Sequence, residues 1–248
     1  EPGTGKTVLA QEIAQALDAP LIEWNVKSTT KAHQGLYEYD AVARLRDGQL
    51  GDPRVHDISN YIRKGKLWEA FTSPRLPVLL IDELDRADEE FEGYLLELLS
   101  DYQVTIPELG TIRAATPPIV IITSNRTREL HDALKRRCLY WWIDYPDFEK
   151  EYRIITDKVP EAPARLAEQV TRFVQELRTA ELYKVSGISE TLDWIAALVA
   201  LDRHELDRET IDETLGLVLK TREDLETIRG ERAQALFERS LVPTGAAH

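Results

Sequence analysis

Glu1-Pro2-Gly3-Thr4-Gly5-Lys6-Thr7 is the stretch on which the reading of the fold turns. It fills the last seven places of the phosphate-binding pattern G-x-x-x-x-G-K-[ST], whose leading glycine would precede Glu1. Glycines let successive backbone N–H groups curl around a phosphate, and Lys6 offers a point charge to the β- and γ-oxygens. The Thr7 hydroxyl suits Mg²⁺, and a helix starting here adds the positive end of its dipole. Glu1, Pro2, Gly3, Thr4, Gly5, Lys6, Thr7 and Val8 are therefore the candidate nucleotide-binding residues. A Gly-rich turn that merely caps a helix has the same spelling, so the downstream residues must decide.

Outward from that stretch, Leu9, Ala10, Ile13, Ala14 and Leu17 predict an apolar helical face, and Leu21–Val26 reads as a strand. Helix then strand directly after a phosphate loop is the mark of an α/β sheet protein. From Lys27 to about Asp57 the periodicity breaks at Gly35, Gly48, Gly51 and Pro53, around a short helical stretch from Tyr39 to Leu50. That is longer than a simple connection requires, so an inserted functional element is expected. An amphipathic helix is predicted over Ile58–Phe71. Pro77-Val78-Leu79-Leu80-Ile81-Asp82-Glu83 has the continuous apolar spelling of a strand buried on both faces of a parallel sheet. Acids at Asp88–Glu92 open a further helix, whose stripe of Phe91, Tyr94, Leu95, Leu98, Leu99 and Tyr102 is core packing. A hairpin is expected over Val104–Arg113, strands over Ile119–Thr123 and Leu139–Asp144, and a polar helix ending near Arg136-Arg137-Cys138. Beyond Pro146 only helices are predicted, at about 147–158, 164–179, 189–201, 208–220 and 222–239.

The strongest second signal is Asp82-Glu83 at a strand end. Two adjacent strand residues point to opposite sides, so one carboxylate can hold Mg²⁺ while the other polarises the attacking water. Capping of the next helix is the plainer role for such a pair. Asn125, at the tip of the later strand, stands where a γ-phosphate or its water is contacted, though asparagine also simply forms turns there. Arg136 and Arg137 close a helix, where cations are favoured by the dipole alone, yet an arginine placed so can also serve a neighbouring subunit's nucleotide.

A chain of 248 residues allows one large or two modest domains and a sizeable core. The single cysteine, Cys138, excludes a disulfide framework and fits a reducing, cytoplasmic setting. Net charge is -13, from 44 acidic and 31 basic side chains, which argues against wholesale attachment to nucleic acid or anionic membrane. No apolar run has the length of a membrane span.

The order of phosphate loop, Leu79-Leu80-Ile81-Asp82-Glu83, Thr123-Ser124-Asn125 and Arg136-Arg137-Cys138, followed by a helical segment, resembles the AAA+ ATPases. Asp82-Glu83-Leu84-Asp85-Arg86-Ala87, Gln103-Val104-Thr105-Ile106-Pro107-Glu108-Leu109-Gly110 and the insert narrow the resemblance to the MoxR group. It implies a three-layer αβα P-loop core with a parallel sheet over 1–146, its first strand upstream of Glu1, and an all-α lid over 147–248. It further implies a helix-2 insert at about 27–57 and a pre-sensor hairpin at about 104–113, both facing a ring pore, with Leu36 and Tyr37 as substrate contacts. ATP and ADP would bind with Mg²⁺ on Thr7 and Asp82. By the same resemblance, Glu83 activates water, Asn125 is sensor 1, Arg137 or else Arg136 is the arginine finger, and Asn25 restrains Glu83 until a partner engages. Glu190 stands where many lids carry a sensor 2 arginine.

The resemblance implies an ATPase (ATP + H₂O to ADP + phosphate) acting as a homo-oligomer, a hexameric ring. It would be a chaperone of a protein client, a metalloenzyme, with a von Willebrand factor A domain adaptor. Two rivals stay open: a nucleotide-gated assembly scaffold with little turnover, and a nucleic-acid-dependent motor.

Overall fold

A computed structural model describes residue 1, residues 3–106 and residues 110–241. Its contacts fall into two compact units, Lys6–Trp141 and Glu1–Gly5 with Trp142–His248.

In the first unit, helix α1 (Lys6–Ala16) leads to strand β1 (Leu21–Asn25). Among the described residues the main sheet has three parallel strands in the order β1, β4 (Val78–Asp82), β7 (Ile119–Ile122). Val78, Leu79, Leu80 and Ile81 are all fully buried, as a central strand covered on both faces requires. Leu79 and Ile81 enter a core with Trp24, Leu67 and Phe71 and with the predicted stripe of helix α4 (Glu89–Asp101), of which Phe91, Leu95 and Leu98 are buried. Asp88 caps α4 by accepting the Phe91 N–H at 2.8 Å. Helix α1 departs from expectation: Ala10 and Ala14 are buried while Leu9 and Leu17 stand exposed, so its small residues form the seated face.

The insert is a built module. Strand β2 (Tyr37–Tyr39) pairs antiparallel with β3 (Ile62–Lys64) around helix α2 (Ala41–Gln49), carrying the module past the expected end at Asp57 to Lys64. The helix predicted over Ile58–Phe71 is consequently confined to α3 (Lys66–Phe71). Gly65 is the reason: its N–H donates to the Leu36 carbonyl at 2.6 Å, and a Cβ there would overlap the Gln34 and Gly35 backbone. Leu36 is itself buried in the core and Tyr37 packs partly against it, which removes Leu36 as an exposed substrate contact. Among the described residues the large apolar side chains this module presents include Val42, Leu45 and Leu50, with Tyr39 partly exposed beside them.

The hairpin pairs β5 (Gln103–Ile106) with β6 (Gly110–Arg113); its turn, Pro107–Leu109, lies outside the described residues. After β7 comes the short helix α5 (Asp132–Lys135). Leu139–Asp144 is not a strand, and Leu139, Tyr140 and Trp141 are exposed. An apolar run becomes a strand only beside a ladder partner, and among the described strands none pairs with it.

The second unit is helical from Phe148, with helices α6 (Phe148–Lys158), α7 (Ala164–Arg178), α8 (Ile188–Ala200), α9 (Arg208–Thr214), α10 (Arg222–Ile228) and α11 (Glu231–Leu241). The single helix predicted over 222–239 is thus two, broken at Gly230, which takes a left-handed φ of +79°. Their core gathers Phe173, Trp194, Ile195, Leu198 and Leu236. At its edge lies a buried ion pair: both Glu151 oxygens accept from the Arg178 guanidinium, at 2.6 and 2.7 Å, and Gln175 and Thr191 donate to the same carboxylate. Among the described residues, no helix is long and apolar enough to cross a membrane.

Candidate functional site

The candidate residues gather at the carboxyl ends of the parallel strands, where open α/β sheets generally bind ligands. Thr7, in the first turn of α1, donates its hydroxyl to Asp82 at the end of β4, 3.1 Å from Oδ2 and 3.3 Å from Oδ1. Thr123, just past β7, points its hydroxyl at Asp82 Oδ1 from the other side and accepts the Glu83 N–H at 3.0 Å. One hydroxyl thereby links both acids.

Glu83 is left-handed, with φ 58° and ψ 44°, a conformation that costs a non-glycine residue about 1–3 kcal/mol unless its surroundings hold it. The bend drops the chain into a 3-10 turn at Leu84–Arg86, so Glu83 lies just past β4 rather than in it. Its Oε1 accepts from Asn125 Nδ2 at 3.4 Å, and its Oε2 pairs with Arg86 Nε at 3.0 Å. Sequence reasoning brought Thr7, Asp82, Glu83 and Asn125 to this place; it missed Thr123 and Arg86, although both stand inside the stretches it singled out.

Asp85, also missed, is buried beneath the loop that carries Asn125. It accepts the Asn125 N–H at 3.2 Å, the Thr127 N–H at 2.8 Å and the Thr127 hydroxyl at 2.7 Å. Burial pushes its carboxyl upward, but the bonds from Thr127 and Asn125 outweigh that and hold it below the ordinary aspartate value.

The donors fit Mg²⁺. A threonine hydroxyl and a carboxylate are hard oxygen ligands, and nucleotide-bound Mg²⁺ needs only one or two protein ligands because phosphates and water supply the rest. Lys6 opens α1 beside Thr7, and Val8 follows, half exposed in the same turn.

The loop residues ahead of Lys6 belong to the second unit. Gly3 and Gly5 have φ of +66° and +82°, which glycine adopts without strain. The Thr4 hydroxyl closes the turn on the Glu1 carbonyl at 2.8 Å. The Gly3 carbonyl accepts the Ile188 N–H at 3.2 Å, and a Cβ on Gly3 would come within 3.2 Å of Gly187 Cα. Glu190 accepts the Gly187 N–H at 3.0 Å, so it caps the N-terminus of α8, a physical reason for an acid at that position. Pro2 lies outside the described residues.

Three predicted residues are not among the described partners of Glu83. Asn25 ends β1 in register with Asp82, but the described partners of Glu83 are Arg86 and Asn125. Arg137 is turned back on its own unit, donating to the Leu96 carbonyl at 2.9 Å and to Ser100 Oγ at 2.7 Å. Arg136 caps α5 through its backbone N–H, with its side chain exposed.

A parallel sheet with a phosphate-loop helix, a strand-end Asp-Glu pair and a facing asparagine defines a P-loop nucleoside-triphosphatase fold. Residues 1–140 match the family described as ATPase family associated with various cellular activities (AAA), and the chain belongs to that family. Chaperone protein ClpB from Bacillus cereus and from Bacillus anthracis is each 30% identical over 126 residues, which is 50% of this chain and 13% of those proteins. The chain therefore spans a small part of the curated relatives it matches. Among solved structures, two point mutants of RuvB from Thermotoga maritima share the fold. They have TM-scores of 0.55 and 0.50 at 19% and 18% identity, and cover 92% and 87% of this chain against 65% and 59% of their own.

Proposed function

We propose that this chain is the ATP-hydrolysing module of a MoxR-type AAA+ chaperone that remodels or matures a protein client, a metalloenzyme, as a ring of identical subunits with a von Willebrand factor A domain adaptor. The observation that carries the hydrolytic part is the convergence of Thr7, Asp82, Glu83 and Asn125 at the strand ends. The chaperone part is supported by the name of the ClpB relatives, and the MoxR part by Asp82–Ala87, the β5–β6 hairpin and the β2–β3 module.

In this reading Lys6 neutralises the β- and γ-oxygens of ATP. Thr7 and Asp82 would hold Mg²⁺, which supplies further positive charge to those oxygens. Glu83 takes a proton from water as the water oxygen bonds to the γ-phosphorus and the bond to the ADP oxygen breaks. Asn125, within reach of Glu83, orients that water. Arg137, with Arg136 as the alternative, would stabilise the charge on a neighbouring subunit's nucleotide, and Arg137 must release Leu96 and Ser100 to do so.

Phosphate release by the purified chain with Mg²⁺ and ATP tests hydrolysis; a rate no higher than that of Lys6→Ala would end the reading. For action between subunits, inactive Arg137→Ala or Arg136→Ala protein mixed with inactive Glu83→Gln protein should regain activity at mixed interfaces. No recovery at any ratio, for either arginine, contradicts it.

A nucleotide-gated assembly scaffold is the second reading, favoured by Arg86 engaging Glu83 and by Glu190 at the sensor 2 place. Multiple turnovers would remove it.

A further inference from the structure

Arg126 adopts a left-handed backbone with φ 57° in the middle of the loop that follows β7. A non-glycine residue holds such a conformation only where neighbouring contacts fix it. Here the fixing contacts lie on either side of it, because Asp85 binds the backbone N–H of both Asn125 and Thr127. The Thr127 hydroxyl adds a third bond to the same carboxylate. Asp85 is rigidly placed in turn: its 3-10 turn is tied to the sheet by Leu84, whose N–H donates to the Thr123 carbonyl at 3.0 Å. The left-handed Glu83 begins this turn, so one short segment sets both the base and the platform under the residue facing it.

We propose that Asp85 is a positioning residue for ATP hydrolysis, its buried carboxylate clamping the loop so that the Asn125 amide stays within reach of Glu83. The inference rests on the reading of Glu83 and Asn125 as the hydrolytic pair. The Asp85 carboxylate is engaged by the Asn125 and Thr127 groups of the loop, so it acts through Asn125. Within the loop the Ser124 hydroxyl accepts the Arg126 N–H at 3.0 Å, the local turn that Ser and Thr form, but the N–H groups on either side of Arg126 are held by Asp85. A carboxylate with two acceptor oxygens does.

The test is a double-mutant cycle on the full chain, with steady-state ATPase kinetics and nucleotide affinity measured for each variant. Misplacing a reacting group by an ångström costs up to about a hundredfold in rate, so Asp85→Asn, which keeps the volume but removes an acceptor, should lower kcat about tenfold with KM changed less than about twofold. In an Asn125→Ala background the same substitution should change kcat by less than about twofold, since the group it positions is gone. Thr127→Val, which removes one donor and keeps the shape, should lower kcat about threefold in the wild-type background and leave it unchanged beside Asn125→Ala. A tenfold loss persisting beside Asn125→Ala, or an unchanged kcat in Asp85→Asn, would overturn the proposal. Should Asp85→Asn lose nucleotide affinity as well, the Thr127→Val pair decides by the same comparison. If Glu83→Gln or Asn125→Ala alone leaves turnover intact, the fault lies with the hydrolytic reading itself.

Discussion

Thr123 shows how much a single hydroxyl can hold together at the site. It donates to Asp82 and accepts from the Glu83 N–H, so Thr123→Val, equal in volume, strands that amide and leaves the Asp82 carboxylate with Thr7 as its described side-chain donor. The expected cost is about 1–3 kcal/mol in urea unfolding, with turnover falling alongside it; unchanged stability would show that water replaces the hydroxyl. The residues proposed to meet the substrate were legible in the sequence, since Lys6, Thr7, Asp82, Glu83 and Asn125 follow from phosphate chemistry and from their places in the phosphate loop or just at the strand ends. Asp85, Thr123 and Thr127 were not. Their work is to hold other protein groups, and which N–H a carboxylate will find depends on a left-handed turn that no spacing rule reveals.

At the scale of elements, continuous apolar strands and capped helices were readable, whereas segments whose state depends on a distant partner were not. Ile58–Phe71 has helical periodicity, yet β3 claims its middle because Tyr37–Tyr39 offers a ladder and Gly65 lets two backbones touch. Leu139–Asp144 has strand composition but no ladder among the described strands. Gly65→Ala puts these ideas to measurement. Its Cβ would meet backbone rather than a flexible side chain, and overpacking of that kind destabilises by about 1–3 kcal/mol. A thermal midpoint equal to wild type would mean that the β2–β3 module does not approach Gly35 so closely.

For the molecule as a whole, the two units have separate cores, and the sequence foretold the change from alternating strands and helices to helices alone. It did not foretell the buried polar groups of the helical unit. Breaking the Glu151–Arg178 pair with Glu151→Ala should cost about 3–5 kcal/mol, since an uncompensated guanidinium remains, and the buried Trp194 supplies a fluorescence reporter for that unit. A loss under about 1 kcal/mol would place the pair in effective contact with water. Asp224 gives this unit a pH dependence. Burial raises its carboxyl, but bonds from the Thr221 hydroxyl and the Tyr183 and Lys184 N–H groups prevail and hold it below the ordinary value. Its contribution is therefore present above the unfolded value of about 4 and is lost as pH falls through the lower folded value. Asp224→Asn should flatten the decline of stability below about pH 4; an unaltered slope would exclude Asp224 as its source.

In the proposed reaction Glu83, which stands just past the end of β4 and within reach of Asn125, takes the proton from the attacking water. Steady-state phosphate release and equilibrium ATP binding by Glu83→Gln put that role to measurement. Affinity should stay within about threefold of wild type while turnover drops by about 10²–10⁴, the usual worth of a general base. Turnover close to wild type with binding intact would refute the role.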